Sequence, residues 1–212
     1  MLKRTEIPAR DTIHRALTIG ETKLFLKHAR ESWYYDLYRF LLYSGVRCGE
    51  AGALCSGDIK VDHIEIRRTV TRSRGGLKIS NKAKTAAGHR DLPYTSGLRA
   101  VVDHQHRINR LFFGKSAGKE DEPDRIFKTR YGGILCSDYA DKDIKKICSK
   151  AGITPFTVHA FRDTFAIRAI ESGMNPKTLQ ELLGHSSYEL TMSLYVHVMP
   201  STKQAEMSRI RF

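Results

Sequence analysis

Apolar positions recur at helical spacing along most of the chain and at strand spacing in one stretch near its front third. Thr18 with Glu21 three residues later forms a capping-box pattern, and Leu24, Phe25 and His28 continue it at helical spacing. Tyr34, Leu37, Tyr38, Leu41 and Leu42 line one face of a second helix, which Gly45 stops. Arg47 begins a short helix that runs to Leu54. Residues 61–95 change period: Val61, His63–Ile66 and Val70, then 77–79, then 92–94 read as three short strands. Arg74-Gly75-Gly76 makes the first turn and residues 85–88 the second. Helices resume at 96–113, and after the charged loop 114–124 they continue at 137–151, 158–172, 176–183, 189–197 and 201–210. The pattern predicts a mainly α domain with a small three-stranded antiparallel β-sheet (α+β). It divides into an N-terminal extension or linker over 1–17, a core over 18–200 and a tail helix over 201–212.

Composition adds a partner class. Hydrophobic residues make up 41% of the 212 residues, enough for one folded core, and Lys plus Arg exceed Asp plus Glu by 36 − 23 = 13. That excess points to a polyanion, and nucleic acid is the commonest. A membrane surface fits less well, since no long basic amphipathic segment or lipidation motif occurs. No apolar run approaches the ~18 residues of a membrane span. The start of the chain lacks the apolar stretch of a signal peptide. Cys48, Cys55, Cys136 and Cys148 form no CxxC pair and no metal-ligand spacing, which suggests reduced thiols in a cytoplasm. The nine histidines are scattered without a metal-ligand pattern, so neither a metal nor another cofactor is expected.

The candidate chemistry lies in short motifs, each of which also has an ordinary structural reading. Thr157 is a candidate N-cap for a helix on which His159 and Arg162, three apart, share a face; such a pair also suits a solvated surface. His185 follows Gly184 at a helix end, where a capping histidine is common. Tyr195 lies on a short helix ten residues later, where most tyrosines simply pack on the core. Upstream lie Ser44-Gly45-Val46-Arg47-Cys48-Gly49-Glu50-Ala51-Gly52-Ala53-Leu54 and Lys84-Thr85-Ala86-Ala87-Gly88-His89-Arg90-Asp91-Leu92-Pro93.

Taken in order, these motifs resemble the tyrosine recombinase (phage-type integrase) family over roughly residues 18–200. The segment 44–54 matches that family's first arginine box. Residues 84–93 match its sheet-lysine pattern, and His159 to Tyr195 match its HxxR, LGH and tyrosine elements. The ten-residue step from His185 to Tyr195 and the trailing His197-Val198 look most like integrases of conjugative transposons and related phages. Asp163 stands where a second histidine often follows the arginine. Lys82 competes with Lys84 for the lysine role, and the spacing to Pro93 favours Lys84.

The resemblance implies six catalytic residues, Arg47, Lys84, His159, Arg162, His185 and Tyr195. Tyr195 would attack a DNA phosphate and form a 3′-phosphotyrosine. Arg47 and Arg162 would clamp the nonbridging oxygens, and His185 would add a donor. His159 would take the phenol proton and Lys84 would protonate the leaving 5′-oxygen. Glu50 and His197 are supporting residues. Glu50 would orient a cationic site residue, or equally serve as a first-turn carboxylate on the helix dipole. Arg67, Arg68, Arg72, Arg74, Lys78, Lys82 and Arg90 would lie along DNA phosphates, although such a run also suits a solvated hairpin face.

The implied partner is double-stranded DNA carrying an attachment or recombination site, on which the protein would pass from monomer to dimer or tetramer. The tail after Pro200 would dock on a neighbouring protomer, and accessory DNA-bending factors can join such assemblies. A separate helical DNA-binding domain precedes the core in that family and has no room before Thr18 here, so the chain is expected to be a fragment or a minimal form with weak affinity for DNA. Two other functions compete with this one: a type IB topoisomerase-like strand transferase, and a non-catalytic DNA-binding relative.

Overall fold

The computed structural model describes residues 15–81, 88–114 and 124–198. Its helices are α1 (Ile19–His28), α2 (Tyr35–Ser44), α3 (Cys48–Gly52), α4 (Ser96–Phe113), α5 (Ser137–Ala151), α6 (His159–Glu171), α7 (Pro176–Leu183) and α8 (Tyr188–Val198). The Thr18 hydroxyl accepts the Glu21 amide at 3.1 Å, and the Glu21 carboxylate accepts the Thr18 amide at 2.9 Å, closing the capping box. Residues 15–17, expected to end a linker, pack on the core instead. Leu17 is buried and its amide donates to Thr164 Oγ1 at 2.8 Å, while Arg15 reaches the Thr154 and Pro155 carbonyls. The tail expected over 201–212 lies outside the described residues.

Of the helix starts at α6 and α3, the first depends on a tertiary partner and the second on a local one. Thr157 does not cap α6 with its side chain. Val158 occupies the N-cap, and its amide donates to Asp141 Oδ1 of α5 at 2.6 Å. A carboxylate from a neighbouring helix therefore fixes the position from which His159 and Arg162 project. At α3, the Arg47 amide donates to Glu50 Oε2 at 2.8 Å.

In place of one three-stranded sheet, the described residues form two antiparallel pairs. β1 (His63–Ile66) pairs with β4 (Arg90–Pro93), and β2 (Thr69–Ser73) pairs with β3 (Gly76–Ser80). The run expected as the first strand breaks at Arg67-Arg68. β1 and β4 bury Ile64, Ile66 and Leu92 in the main core, whereas β2–β3 is a largely exposed hairpin turning at Arg74-Gly75. Alternation of side chains explains the burial of the first pair, where Ile64 and Ile66 face inward with Leu92 and Arg90, whereas the alternating Leu77 and Ile79 of β3 are only half-buried.

The main core gathers α1–α5, the β1–β4 pair and the start of α6. The Phe25 ring lies 5.3 Å from Tyr38, 5.1 Å from Phe156 and 5.5 Å from Phe161, so aromatic contacts join residues far apart in sequence. A second, smaller cluster of Ala166, Ala169, Ile170, Leu179 and Leu183 holds α7 to the far half of α6. Leu194 and Tyr195 of α8 pack on that smaller cluster. No helix among the described residues is long and apolar enough to cross a membrane.

The turn between α2 and α3 depends on Gly45. Its φ is +65°, and a Cβ there would lie 2.3 Å from the Phe165 ring. Gly45→Ala is expected to destabilise the fold by about 1–3 kcal/mol, through left-handed strain and the clash with Phe165. Urea unfolding followed by circular dichroism measures this, and an unchanged midpoint would refute it.

Candidate active site

The turn that Gly45 makes carries one arginine and holds a second. Arg47 follows it at the N-cap of α3, with its side chain 45% exposed. Arg162 comes from α6, where only 4% of it is exposed, and donates from Nη1 to the Gly45 carbonyl at 2.8 Å. Its Nη2 donates to the Leu183 carbonyl, also at 2.8 Å. A guanidinium has five N–H donors, so two bonds to carbonyls orient the plane and leave donors for another acceptor. Burial, then the neighbouring charge of Arg47, pulls the Arg162 pKa down to about 9, with Glu50 and Asp163 opposing and Arg90 adding to the fall. Arg162 stays cationic at pH 7, in a place where an anion would relieve the repulsion.

The end of α7 is held from the other side by Arg90. Arg90 is 8% exposed, and its Nε donates to the Leu182 carbonyl at 2.6 Å. Its Nη1 and Nη2 reach Glu50 at 3.1 and 2.8 Å, and Glu50 also accepts from Arg47 Nη1 at 3.2 Å. Arg90, expected along DNA phosphates, instead fastens β4 to α3 and α7. The strand alternation contained this signal, since Arg90 lies two residues from buried Leu92 and so on the same face. Burial alone would raise the Glu50 pKa, but the hydrogen bonds and charge of Arg90, with the amide and charge of Arg47, hold it below the usual carboxylate value.

Both arginines thus grip carbonyls that α7 leaves unpaired at its C-terminus, and Gly184 in the left-handed conformation (φ 66°) turns the chain to His185. His185 Nδ1 lies 2.9 Å from the hydroxyl of Thr191, which is fully buried. Burial, then the charges of Arg162, Arg47, Arg90 and His159, depresses the His185 pKa to about 4. The imidazole is therefore neutral near pH 7. His159, at the start of α6, has a half-exposed ring with Nε2 3.6 Å from Asp163 Oδ1.

Four of the six residues expected to be catalytic meet here. Arg47, His159 and Arg162 line one cleft with Val46, Cys48 and Asp141. Arg47 and His185 line an adjoining cleft of about 800 Å³, whose opposite wall is Arg67, Arg68 and the β2 residues through Arg72. Fixed cationic donors around a space open to solvent, with one neutral imidazole among them, suit a phosphodiester that accumulates negative charge on its nonbridging oxygens.

The match to known proteins agrees with this geometry. The family model described as "Phage integrase family" covers residues 15–202. The chain belongs to the phage integrase family. Among the relatives of this integrase-family chain is a "Tyrosine recombinase XerC-like" protein of Caldanaerobacter subterraneus subsp. tengcongensis. It is 31% identical over 180 residues, which is 79% of this chain and 46% of that protein. The "Transposase from transposon Tn916" of Enterococcus faecalis is 28% identical over 193 residues, covering 83% of this chain and 45% of its own length. The chain spans about half the length of these curated relatives. Among solved structures, the Tn1549 transposon integrase in complex with circular intermediate DNA superposes with a TM-score of 0.79 at 24% identity, covering 93% of this chain and 67% of that one. A lambda integrase dimer bound to a core site superposes with a TM-score of 0.64 at 18% identity, covering 90% and 62% of the respective chains.

Of the remaining expected residues of the integrase-family chain, Tyr195 lies away from the two clefts. The Tyr195 hydroxyl donates to the Met174 carbonyl in the α6–α7 loop, and the ring packs on the smaller apolar cluster, outside the residues lining either cleft. Burial, then the neighbouring Tyr188, raises its pKa. Lys82 and Lys84 lie outside the described residues, as does the side chain of His197. Arg67 is 2.5 Å from Asp91, Arg68 pairs with Asp58, and Arg72 is 2.5 Å from Asp138, while Arg74 and Lys78 stand exposed on the hairpin. His63, Glu65 and Asp91 bring ligand-type atoms within 4.8 Å of one another, but Arg67 already pairs with both carboxylates.

Removing Arg90 leaves the buried Glu50 carboxylate balanced, among the described residues, only by the Arg47 amide and the half-exposed Arg47 guanidinium. Arg90→Met is expected to cost about 3–5 kcal/mol, and adding Glu50→Gln to recover part of the loss. Denaturant midpoints of the single and double variants measure this, and additive losses would refute the coupling. Because the folded-state pKa of Glu50 is lowered, its contribution is complete above the unfolded carboxylate pKa and is lost as pH falls through the folded value. Urea midpoints of the wild type should therefore fall more steeply in acid than those of the double variant.

Proposed function

We propose that this chain is the catalytic domain of a site-specific DNA recombinase that cleaves and rejoins duplex DNA through a 3′-phosphotyrosine. One observation carries this reading: Arg47, His159, Arg162 and His185, from three separate stretches of chain, surround one pair of adjoining clefts. A phosphate there would accept from the free donors of Arg47 and Arg162 and from the His185 ring. The Tyr195 oxygen would bond to phosphorus as the bond to the 5′-oxygen breaks. Its proton would pass to His159, and the leaving oxygen would take one from Lys84. The phosphotyrosine keeps the energy of the broken bond, so a 5′-hydroxyl from another strand reverses the step without a nucleotide cofactor.

Tyr195 must first leave the Met174 carbonyl. The α8 helix packs on α6 and α7 through the smaller apolar cluster, so its displacement opens that satellite and the Thr191–His185 contact while leaving the main core intact. A phenol with a raised pKa, bonded to a carbonyl, is an idle nucleophile. DNA would supply the phosphate, and the approach of α8 to the cleft would complete the site. Duplex backbone would run past Arg67, Arg68 and Arg72, with Arg74 and Lys78 beyond. Their carboxylate partners Asp91, Asp58 and Asp138 would exchange for phosphates. Assembly of two or four protomers on DNA, and a boundary for this unit near residues 18–200, belong to the same reading.

Nicked duplexes tiled across the DNA flanking the gene serve as suicide substrates. A covalent protein–DNA adduct is expected with the wild type and none with Tyr195→Phe. Arg47→Ala and Arg162→Ala are each expected to slow adduct formation by about 10²–10³-fold, the usual cost of one transition-state donor. An adduct that persists in Tyr195→Phe would overturn the assignment, and relaxation of supercoiled plasmid without a partner site would favour a topoisomerase. Binding should weaken steeply with added salt.

A further inference from the structure

Thr191 has a role in the site that the motifs do not assign. Its hydroxyl is fully buried, and Nδ1 of His185, 2.9 Å away, is the hydrogen-bond partner shown for it among the described residues. A buried hydroxyl carries one proton that needs an acceptor, and among the described residues the nitrogen lone pair in reach is on that ring. If Nδ1 were instead the donor, the hydroxyl proton would have no acceptor among the described residues, at a cost of about 1–3 kcal/mol.

We propose that Thr191 is a positioning residue: its hydroxyl donates to His185 Nδ1 and so fixes the ring as the tautomer with its proton on Nε2, the nitrogen available to a phosphate in the cleft. The assignment rests on the recombinase reading for its purpose but not for its proton count. The ring must be neutral for a tautomer to matter. The charged and titratable groups acting on it are Arg162 and His159 of α6, Arg47 beside α3 and Arg90 of β4, and together with burial they hold it neutral. A neutral imidazole has one N–H, and with the wrong tautomer it would present a lone pair to an anionic oxygen. Thr191 also lies four residues before Tyr195, so both project from the same face of α8. The helix carrying the nucleophile therefore also sets the donor, and displacement of α8 acts on both.

Nitrogen-15 spectra of ring-labelled histidine in the DNA-free full chain test the proton count directly, with His185→Gln identifying the resonance by its loss. The wild type is expected to show His185 protonated on Nε2. Thr191→Val, which keeps the shape and removes the hydroxyl, is expected to give a mixture of tautomers, and Thr191→Ser to restore the single form. Adduct formation on the nicked duplexes should fall about 10–100-fold in Thr191→Val and recover in Thr191→Ser. A wild-type ring protonated on Nδ1 overturns the assignment whether or not any variant folds, as does an unchanged tautomer in a folded Thr191→Val. Failure to form adducts, with the tautomers behaving as stated, would instead sink the recombinase reading and leave the role of Thr191 standing.

Discussion

Two guanidinium groups hold the C-terminal end of one short helix, and the site is built around that grip. The last carbonyls of α7 have no partners within the helix and carry the negative end of its dipole. Arg90 takes the Leu182 carbonyl and Arg162 takes the Leu183 carbonyl. Glu50 balances Arg90 from below, and the Gly45 carbonyl balances Arg162 from the side. His185, two residues past that helix end, is thereby set beside Arg47, which Glu50 also holds. Cationic side chains would ordinarily repel one another to the surface. Here each has at least one fixed backbone or carboxylate acceptor, so the cluster can persist without a bound anion.

The same arrangement explains a division of labour between two apolar clusters. The main core fixes α2, α3, α6 and β4, and hence Arg47, Arg162, Arg90 and Glu50. The smaller cluster carries α8 with Tyr195. The groups proposed to surround a phosphate rest on the large core, where movement would cost most. The proposed nucleophile, Tyr195, rests on the smaller cluster, where a helix can shift at lower cost. A tyrosine bonded to the Met174 carbonyl is thus compatible with a cation cluster that is already assembled.

Net charge is a poor guide to which arginines face a polyanion. Arg67, Arg68 and Arg72 line the larger cleft yet each already has a carboxylate partner, while Arg90, from the same basic stretch, is buried. An exposed pair such as Arg72–Asp138 is weak and can exchange its carboxylate for a phosphate, whereas a buried pair such as Arg90–Glu50 is costly to break from either side. Similar residues, a few positions apart, therefore differ in what they can do because of which side of a strand they leave.

Among the described residues the sequence determined the helices within a few residues, because their apolar spacing and their caps at Thr18, Gly45 and Gly184 are local properties of the chain. It also named the four residues that meet at the clefts, through motif order and a family resemblance. Only the tertiary structure decided that the strands split into two pairs, that Asp141 rather than Thr157 caps α6, and that Arg90 turns inward. Only the tertiary structure brought the Thr191 hydroxyl against His185, and Tyr195 against a backbone carbonyl. These depend on partners distant in sequence or on peptide groups that every residue shares, and neither leaves a mark in the order of side chains.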